Sequence, residues 1–358
     1  MRITFLALLF VCLGCFAQEK RQPPPLPAMP DYPPVSELTA TSSGDVYFES
    51  ITPGDYKWLV LPEQNLEPTT VHAQLFLPPG ASAENPVPAM VILHGSGGIL
   101  PSRETAYGQW MASHGIAGLV VNSYGARGVT EQTPYGLRVA VVSDADEVAD
   151  AYSALKFLNQ HPAIKPSKIG VMGFSYGGMA TLAALDKRIQ QNLAKEVPAF
   201  ALHLDYYGPC HFDLQTTETT GAPLFSLRGA EDQSNNLEAC ARIENSLRAA
   251  GSAVGSTIFP SAGHGWEMET PRQFIKTLNP APCEQYYLAN GDWKIGGKTI
   301  PVPNITSRQD KFLFRLSVLG EMKQSCMSGG YIMGQDKVTH AQSNQLLEQY
   351  VNTYLLHE

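Results

Sequence analysis

Positive charge is in short supply. Lysine and arginine number 25 against 33 aspartates and glutamates, the formal net charge is −8, and charged residues make up only 16% of the chain. No basic patch or run occurs, which argues against nucleic acid as a partner. An anionic substrate would need local arginines, because the overall field does not favour it. Long apolar runs are also missing. The run Ile3–Leu13 is too short to span a bilayer as a helix, so the mature chain is expected to carry no transmembrane helix. There is no internal repeat, no Walker lysine behind a glycine-rich loop and no Rossmann glycine spacing. What remains is a 358-residue chain, 44% hydrophobic, long enough to bury a sizeable core.

Residues 1–17 have the pattern of a secretory signal. Arg2 is followed by the apolar run and by Cys15-Phe16-Ala17, with cleavage expected after Ala17. A second reading is lipoprotein processing at Cys15, against which Cys12 stands where an aliphatic residue is usual. Export makes cysteine pairing informative. Cys210, Cys240, Cys283 and Cys326 remain in the mature chain, and four cysteines in an oxidising compartment suggest two disulfides. Nearness in sequence favours Cys210–Cys240 and Cys283–Cys326. The Pro-rich stretch within 18–44 predicts an extended linker, suited to a spacer from an anchor or to a strap over the domain.

From residue 45 to 358 the pattern is that of one α/β domain. Asp45–Thr52 and Thr70–Leu77 alternate as a leading antiparallel pair. Apolar strands at Pro86–His94, Ile116–Tyr124, Ile169–Phe174, Phe200–Tyr207, Pro223–Leu227 and Ser256–Phe259 are separated by helical stretches, Ser143–Asn159 and Asn236–Ala250 among them. Such alternation predicts a mostly parallel central sheet with helices on both faces. Gln342–Leu356 is expected to close the chain as a helix. The stretch at about 267–334 exceeds a simple crossover and is expected to be an insertion near the active-site rim, with a hairpin at Asp292–Val302.

Gly173-Phe174-Ser175-Tyr176-Gly177 is a G-x-S-x-G between an apolar strand and a small-residue helix, the context of a nucleophile elbow. A serine hydroxyl needs an adjacent base, normally a histidine oriented by a carboxylate. Asp232 and His264 follow Ser175 in the chain and both lie in loops after strands, where a parallel sheet displays functional residues. Asp232 is preferred to Glu231 because it lies further into its loop. The Tyr176 N–H and one from Ser96 or Gly97, in the loop His94–Gly98, are the candidate oxyanion donors.

These residues, with Ser123–Gly128, Tyr207–Cys210, Gly229–Asp232 and Ala262–Gly265, give a chain that resembles the dienelactone hydrolase family of the α/β-hydrolase superfamily over about Thr70–Gly265. Well-known members use a cysteine nucleophile, so Ser175 marks a serine branch closer to exported carboxylesterases. The resemblance implies hydrolysis of a small-molecule ester or lactone, with no cofactor and no metal. Arg127 is a candidate to bind a substrate carboxylate, with a structural role, tying its own loop to backbone carbonyls, as the favoured alternative. Tyr124, Tyr176 and Trp266 are candidates to line the pocket or simply to pack. The rival readings are a serine peptidase or thioesterase with the same three residues, and a binding protein without catalysis.

Overall fold

The structure, a computed structural model, describes residues 24–61 and 66–357. The expected signal 1–17, with Cys12 and Cys15, lies outside the described residues. Among the described residues no helix is long and apolar enough to cross a membrane.

Fourteen strands are present among the described residues: β1 (Gly44–Ile51), β2 (Pro68–Phe76), β3 (Val87–Leu93), β4 (Ala117–Val121), β5 (Ile164–Phe174), β6 (His203–Tyr206), β7 (Phe212–Asp213), β8 (Leu224–Gly229), β9 (Val254–Phe259), β10 (Gln273–Asn279), β11 (Gln285–Tyr287), β12 (Trp293–Ile295), β13 (Lys298–Ile300) and β14 (Ser328–Met333). Eight form the central sheet in the order β1-β2-β4-β3-β5-β6-β8-β9. Only β2 runs against its neighbours; the pairs from β4 to β9 are all parallel. Side chains alternate between the faces of a strand, so a strand covered on both faces is a continuous apolar run. In β3, Ala89, Val91 and Leu93 enter the core shared with helix Asp144–Asn159. Met90 and Ile92 enter the opposite core, with Met111 and with Leu347 and Val351 of the closing helix Lys337–Val351.

Helix Asp144–Asn159 begins with a capping box between Ser143 and Asp146, which satisfies two of the helix's free amide donors. It is buried nearly all round, polar face included. Gly54 N–H donates to Asp146 Oδ1 (2.7 Å), Ser50 Oγ to Asp150 Oδ1 (2.6 Å), and Tyr56 Oη to Asp144 Oδ2 (3.1 Å).

Residues 24–43 contain no helix or strand and lie along the domain as a strap. Leu26 and Leu38 pack on the core, Ser36 and Tyr47 exchange two hydrogen bonds of 2.8 and 2.9 Å, and Arg308 Nη1 donates to the Pro27 carbonyl (2.8 Å).

The stretch 267–334 holds more than the expected hairpin of β12 and β13. β10 pairs with β14, the sheet β13-β12-β11-β7 joins the stretch to the loop after β6, and helix Arg308–Ser325 lines the cavity that Ser175 also lines. Cys210–Cys240 and Cys283–Cys326 are disulfides, with Cα separations of 5.0 and 5.1 Å. The second fastens the start of β11 to the C-terminal end of helix Arg308–Ser325. For its separation of 43 residues, loop closure is worth about 4 kcal/mol in the chain-entropy account. Replacing both Cys283 and Cys326 by serine is expected to lower stability by about 2–4 kcal/mol, measured by urea unfolding; an unchanged midpoint would contradict a structural role for this bridge.

Candidate active site

Ser175 follows β5 and precedes helix Tyr176–Ala183, with φ +54° and ψ −107°. An L-residue reaches this region only when its surroundings force it there. The forcing is visible in the glycines: a Cβ on Gly173 would lie 2.1 Å from the Gly177 carbonyl oxygen, and one on Gly177 would lie 2.7 Å from the Leu93 carbonyl oxygen. Gly177 N–H donates to the His94 carbonyl (3.0 Å) and Ser175 N–H to the Tyr206 carbonyl (2.9 Å), so β3 and β6 hold the bend from either side.

Asp232 lies in the loop after β8 and His264 in the loop after β9, and they meet at 2.7 Å between Oδ2 and Nδ1. Both are buried. The carboxylate is fully engaged. Oδ1 accepts from the Ser234 N–H (2.9 Å) and hydroxyl (2.5 Å), and Oδ2 also accepts from Asn235 Nδ2 (3.0 Å). Burial pushes the Asp232 pKa up, but His264 and the Ser234 and Asn235 bonds outweigh it and hold the carboxyl below its ordinary value. An ionised Asp232 only accepts, so His264 Nδ1 carries the proton and Nε2 is left as an acceptor. Ser175, Ser234 and His264 line one cavity of about 520 Å³, within the size range of small-molecule sites. No hydrogen bond joins Ser175 to His264 among the described residues; in sites without substrate this contact is commonly long.

The His264 loop is held by the 267–334 stretch. His264 N–H donates to the Ile332 carbonyl (2.8 Å) and Gly334 N–H to the His264 carbonyl (2.9 Å). Tyr207 and Tyr331 pack edge-on to the imidazole, with centroids at 4.6 and 5.3 Å.

The loop His94–Gly98 folds as a tight turn, with Gly98 N–H on the Gly95 carbonyl (2.8 Å). His94 Nε2 accepts from Tyr124 N–H (3.3 Å), which leaves Nδ1 protonated toward the Gly95 carbonyl (2.9 Å), with Glu147 Oε1 at 3.2 Å. Of the two candidate donors in the loop, Ser96 lines the cavity and Gly97 does not. Tyr176 lines it as well, and its hydroxyl bonds the Val142 carbonyl (3.2 Å). Tyr135, which the sequence did not single out, closes on Ser96 Oγ at 2.7 Å.

Three candidates for substrate binding are corrected. Arg127 is fully buried, and all five of its N–H donors are taken: by both Asp150 oxygens (2.8 and 3.0 Å), Thr52 Oγ1 (3.1 Å) and the carbonyls of Ser123 (3.1 Å) and Ile51 (2.9 Å). None is left for a substrate, so the structural alternative holds. Trp266 is completely buried, donates Nε1 to Ser343 Oγ (3.0 Å) and packs on Tyr207 and Phe259 away from the cavity lining. Tyr124 is buried behind the turn, where its hydroxyl donates to the Ser96 carbonyl (3.0 Å). It shapes the loop and does not line the cavity.

The family model for the dienelactone hydrolase family matches residues 71–288, more than half of the chain. The chain belongs to the dienelactone hydrolase family. It has the α/β-hydrolase fold of that family, and part of the 267–334 stretch, helix Arg308–Ser325 and β14 included, lies beyond the match. A protein of Methylorubrum extorquens named as a candidate carboxymethylenebutenolidase is 25% identical over 164 residues, 43% of this chain and 52% of its own. Dipeptidyl aminopeptidase BIII of Pseudoxanthomonas mexicana is 30% identical over 169 residues, 44% of this chain and 22% of its own. The chain thus spans about half the length of the first of these curated relatives and about a fifth of the second. A solved structure titled as a candidate dienelactone hydrolase of Klebsiella pneumoniae has a TM-score of 0.44 at 18% identity, covering 62% of this chain and 88% of its own.

Replacing Arg127 by methionine would leave Asp150 buried without its cation, a loss of about 3–5 kcal/mol. Chemical denaturation is expected to register that loss while the KM for a neutral ester stays within about twofold. A raised KM with unchanged stability would return Arg127 to the substrate.

Proposed function

We propose that the protein is an exported serine hydrolase that cleaves carboxylic ester or lactone bonds. The observation that carries this reading is the buried Asp232–His264 pair, 2.7 Å apart, whose imidazole lines the same cavity as a serine held at positive φ. Family membership supports ester-bond chemistry, and the two disulfides support an oxidising compartment.

In this reading Ser175 Oγ attacks the substrate carbonyl carbon while His264 Nε2 takes its proton. Asp232, kept ionised by its four donors, stabilises the imidazolium and fixes its tautomer. The carbonyl oxygen becomes an oxyanion and accepts from the N–H groups of Tyr176 and Ser96. Collapse breaks the bond to the alcohol oxygen, which receives the proton from His264. A water then gives a proton to His264 and attacks the acyl-serine, and the acid leaves with Ser175 restored. For a lactone, acid and alcohol leave as one hydroxy acid.

The aminopeptidase relative motivates a second reading, amide cleavage by the same residues. Short p-nitrophenyl esters and dipeptidyl p-nitroanilides separate the two. Turnover is expected with the esters and to be at least about 10³-fold weaker with the anilides. Ser175→Ala should lower kcat by on the order of 10⁴ or more, and Asp232→Asn by about 10⁴. Comparable ester turnover in Ser175→Ala would remove the serine mechanism, and faster anilide cleavage would favour the peptidase.

A further inference from the structure

The cavity beside Ser175 has two kinds of polar group, and they differ in how they are engaged. The charged ones are already committed. Arg315, from helix Arg308–Ser325, donates to the carbonyls of Val139 (3.2 Å from Nε) and Gly54 (3.3 Å) and to Tyr176 Oη (3.2 Å). Asp144 accepts from Tyr56 Oη (3.1 Å). Of the neutral ones, Tyr56, Ser96, Tyr176 and Ser234 are bonded within the protein as well, whereas His211 and Gln285 are not. His211 and Gln285 both line the cavity and are 9% and 5% exposed. Among the described residues neither ring nitrogen of His211 nor the side-chain amide of Gln285 has a hydrogen-bond partner, and His211 Nδ1 is shut off from solvent. They are neighbours, because the Gln285 N–H donates to the His211 carbonyl (2.7 Å) where β11 meets β7.

His211 Nδ1, shut off from solvent, is out of reach from the cavity as well, so the atoms left for a ligand in the cavity are His211 Nε2 and the Gln285 amide. Burial lowers the His211 pKa to about 4, so at neutral pH the ring is uncharged, and Nε2 donates or accepts according to the tautomer. The Gln285 amide offers both a donor and an acceptor. A group that both donates and accepts, a hydroxyl, matches this pair. Much of the remaining lining is apolar and aromatic. Phe212 stacks on Tyr56 with centroids 4.7 Å apart and lies 6.2 Å from Trp293. Met179, Met322 and Met327 complete the wall, and thioethers pack well on aromatic rings.

We propose that the cavity formed by the 267–334 stretch is a subsite for a hydroxyaryl group, its ring held against Phe212 and the methionines and its hydroxyl bonded by His211 and Gln285. The preferred substrates are then esters carrying a hydroxyphenyl group on the acyl or the alcohol side. This rests on the ester-hydrolase reading above.

The test compares kcat/KM within matched pairs. The acyl arm is the methyl ester of para-hydroxyphenylpropanoic acid against that of phenylpropanoic acid. The alcohol arm is para-hydroxyphenethyl acetate against phenethyl acetate. The hydroxylated member of one pair is expected to be favoured about tenfold or more, and the arm that shows it identifies which half of the ester the cavity takes. In His211→Phe and in Gln285→Leu that ratio is expected to fall to within about twofold of one; a general loss of activity cancels in the ratio. Equal rates in both wild-type pairs would overturn the subsite, as would a preference that survives both substitutions. A para-carboxyphenyl ester favoured over the hydroxyphenyl ester would overturn it in favour of an anion site at Arg315. p-Nitrophenyl acetate keeps the two readings apart. If it is turned over without any hydroxyl preference, the subsite alone fails; if the folded protein turns over neither it nor the pairs, the hydrolase reading fails and the subsite with it.

Discussion

Between β5 and helix Tyr176–Ala183 the backbone folds back so tightly that Gly173 and Gly177 have room for hydrogen only. The bend holds Ser175 at φ +54°, at a cost of order 1–3 kcal/mol, and the surrounding packing has to offset that cost. It does so with a buried polar chain behind the turn. Asp205 Oδ1 lies where a Cβ on Gly178 would sit, 2.5 Å away, and accepts from Gly208 N–H (2.8 Å). Arg228 bonds Asp205 Oδ2 (2.5 Å), the Gly208 carbonyl (2.5 Å) and Asn235 Oδ1 (3.2 Å). Asn235 donates to Asp232, which holds His264. One continuous set of hydrogen bonds therefore runs from the underside of the serine turn to the histidine. Deleting a member is expected to matter more than its pairwise energy, since a half-satisfied buried network is costlier than none.

The 267–334 stretch is coupled to this machinery in two places. Its strand β14 receives the His264 amide and so fixes the loop that presents the imidazole. Its helix Arg308–Ser325 supplies Arg315, Val318, Leu319 and Met322 to the cavity wall, and the Cys283–Cys326 bridge ties that wall to β11. A stretch largely outside the family match thus shapes the cavity beside Ser175 and steadies a residue inside the match. Specificity can change here without disturbing the central sheet.

What was legible in the sequence follows physical range. The buried strands were readable because both faces of a parallel sheet demand apolar residues. The serine turn was readable because its glycines are forced within a few residues. Asp232 and His264 were placed by strand order and the disulfides by nearness in sequence. Ser234 and Asn235 sat in plain view in Asp232-Gln233-Ser234-Asn235, a run of side chains able to bond a neighbouring carboxylate, but their targets depend on the fold. Arg127 was ambiguous because its partner, Asp150, lies on a different element. Trp266 follows the histidine in sequence yet points into the opposite core. Helix Arg308–Ser325 escaped notice because its buried side chains, Lys311, Phe312, Val318 and Met322, make no clean apolar stripe.

The central claim is that Ser175 is a nucleophile activated by His264. Its most direct test is covalent: treat the folded, disulfide-intact protein with a fluorophosphonate and locate the adduct by peptide mass spectrometry. The account predicts one phosphonyl group per chain, on Ser175, formed much more slowly in His264→Ala. A folded wild-type protein that stays unlabelled, or carries the label on another residue, would contradict it.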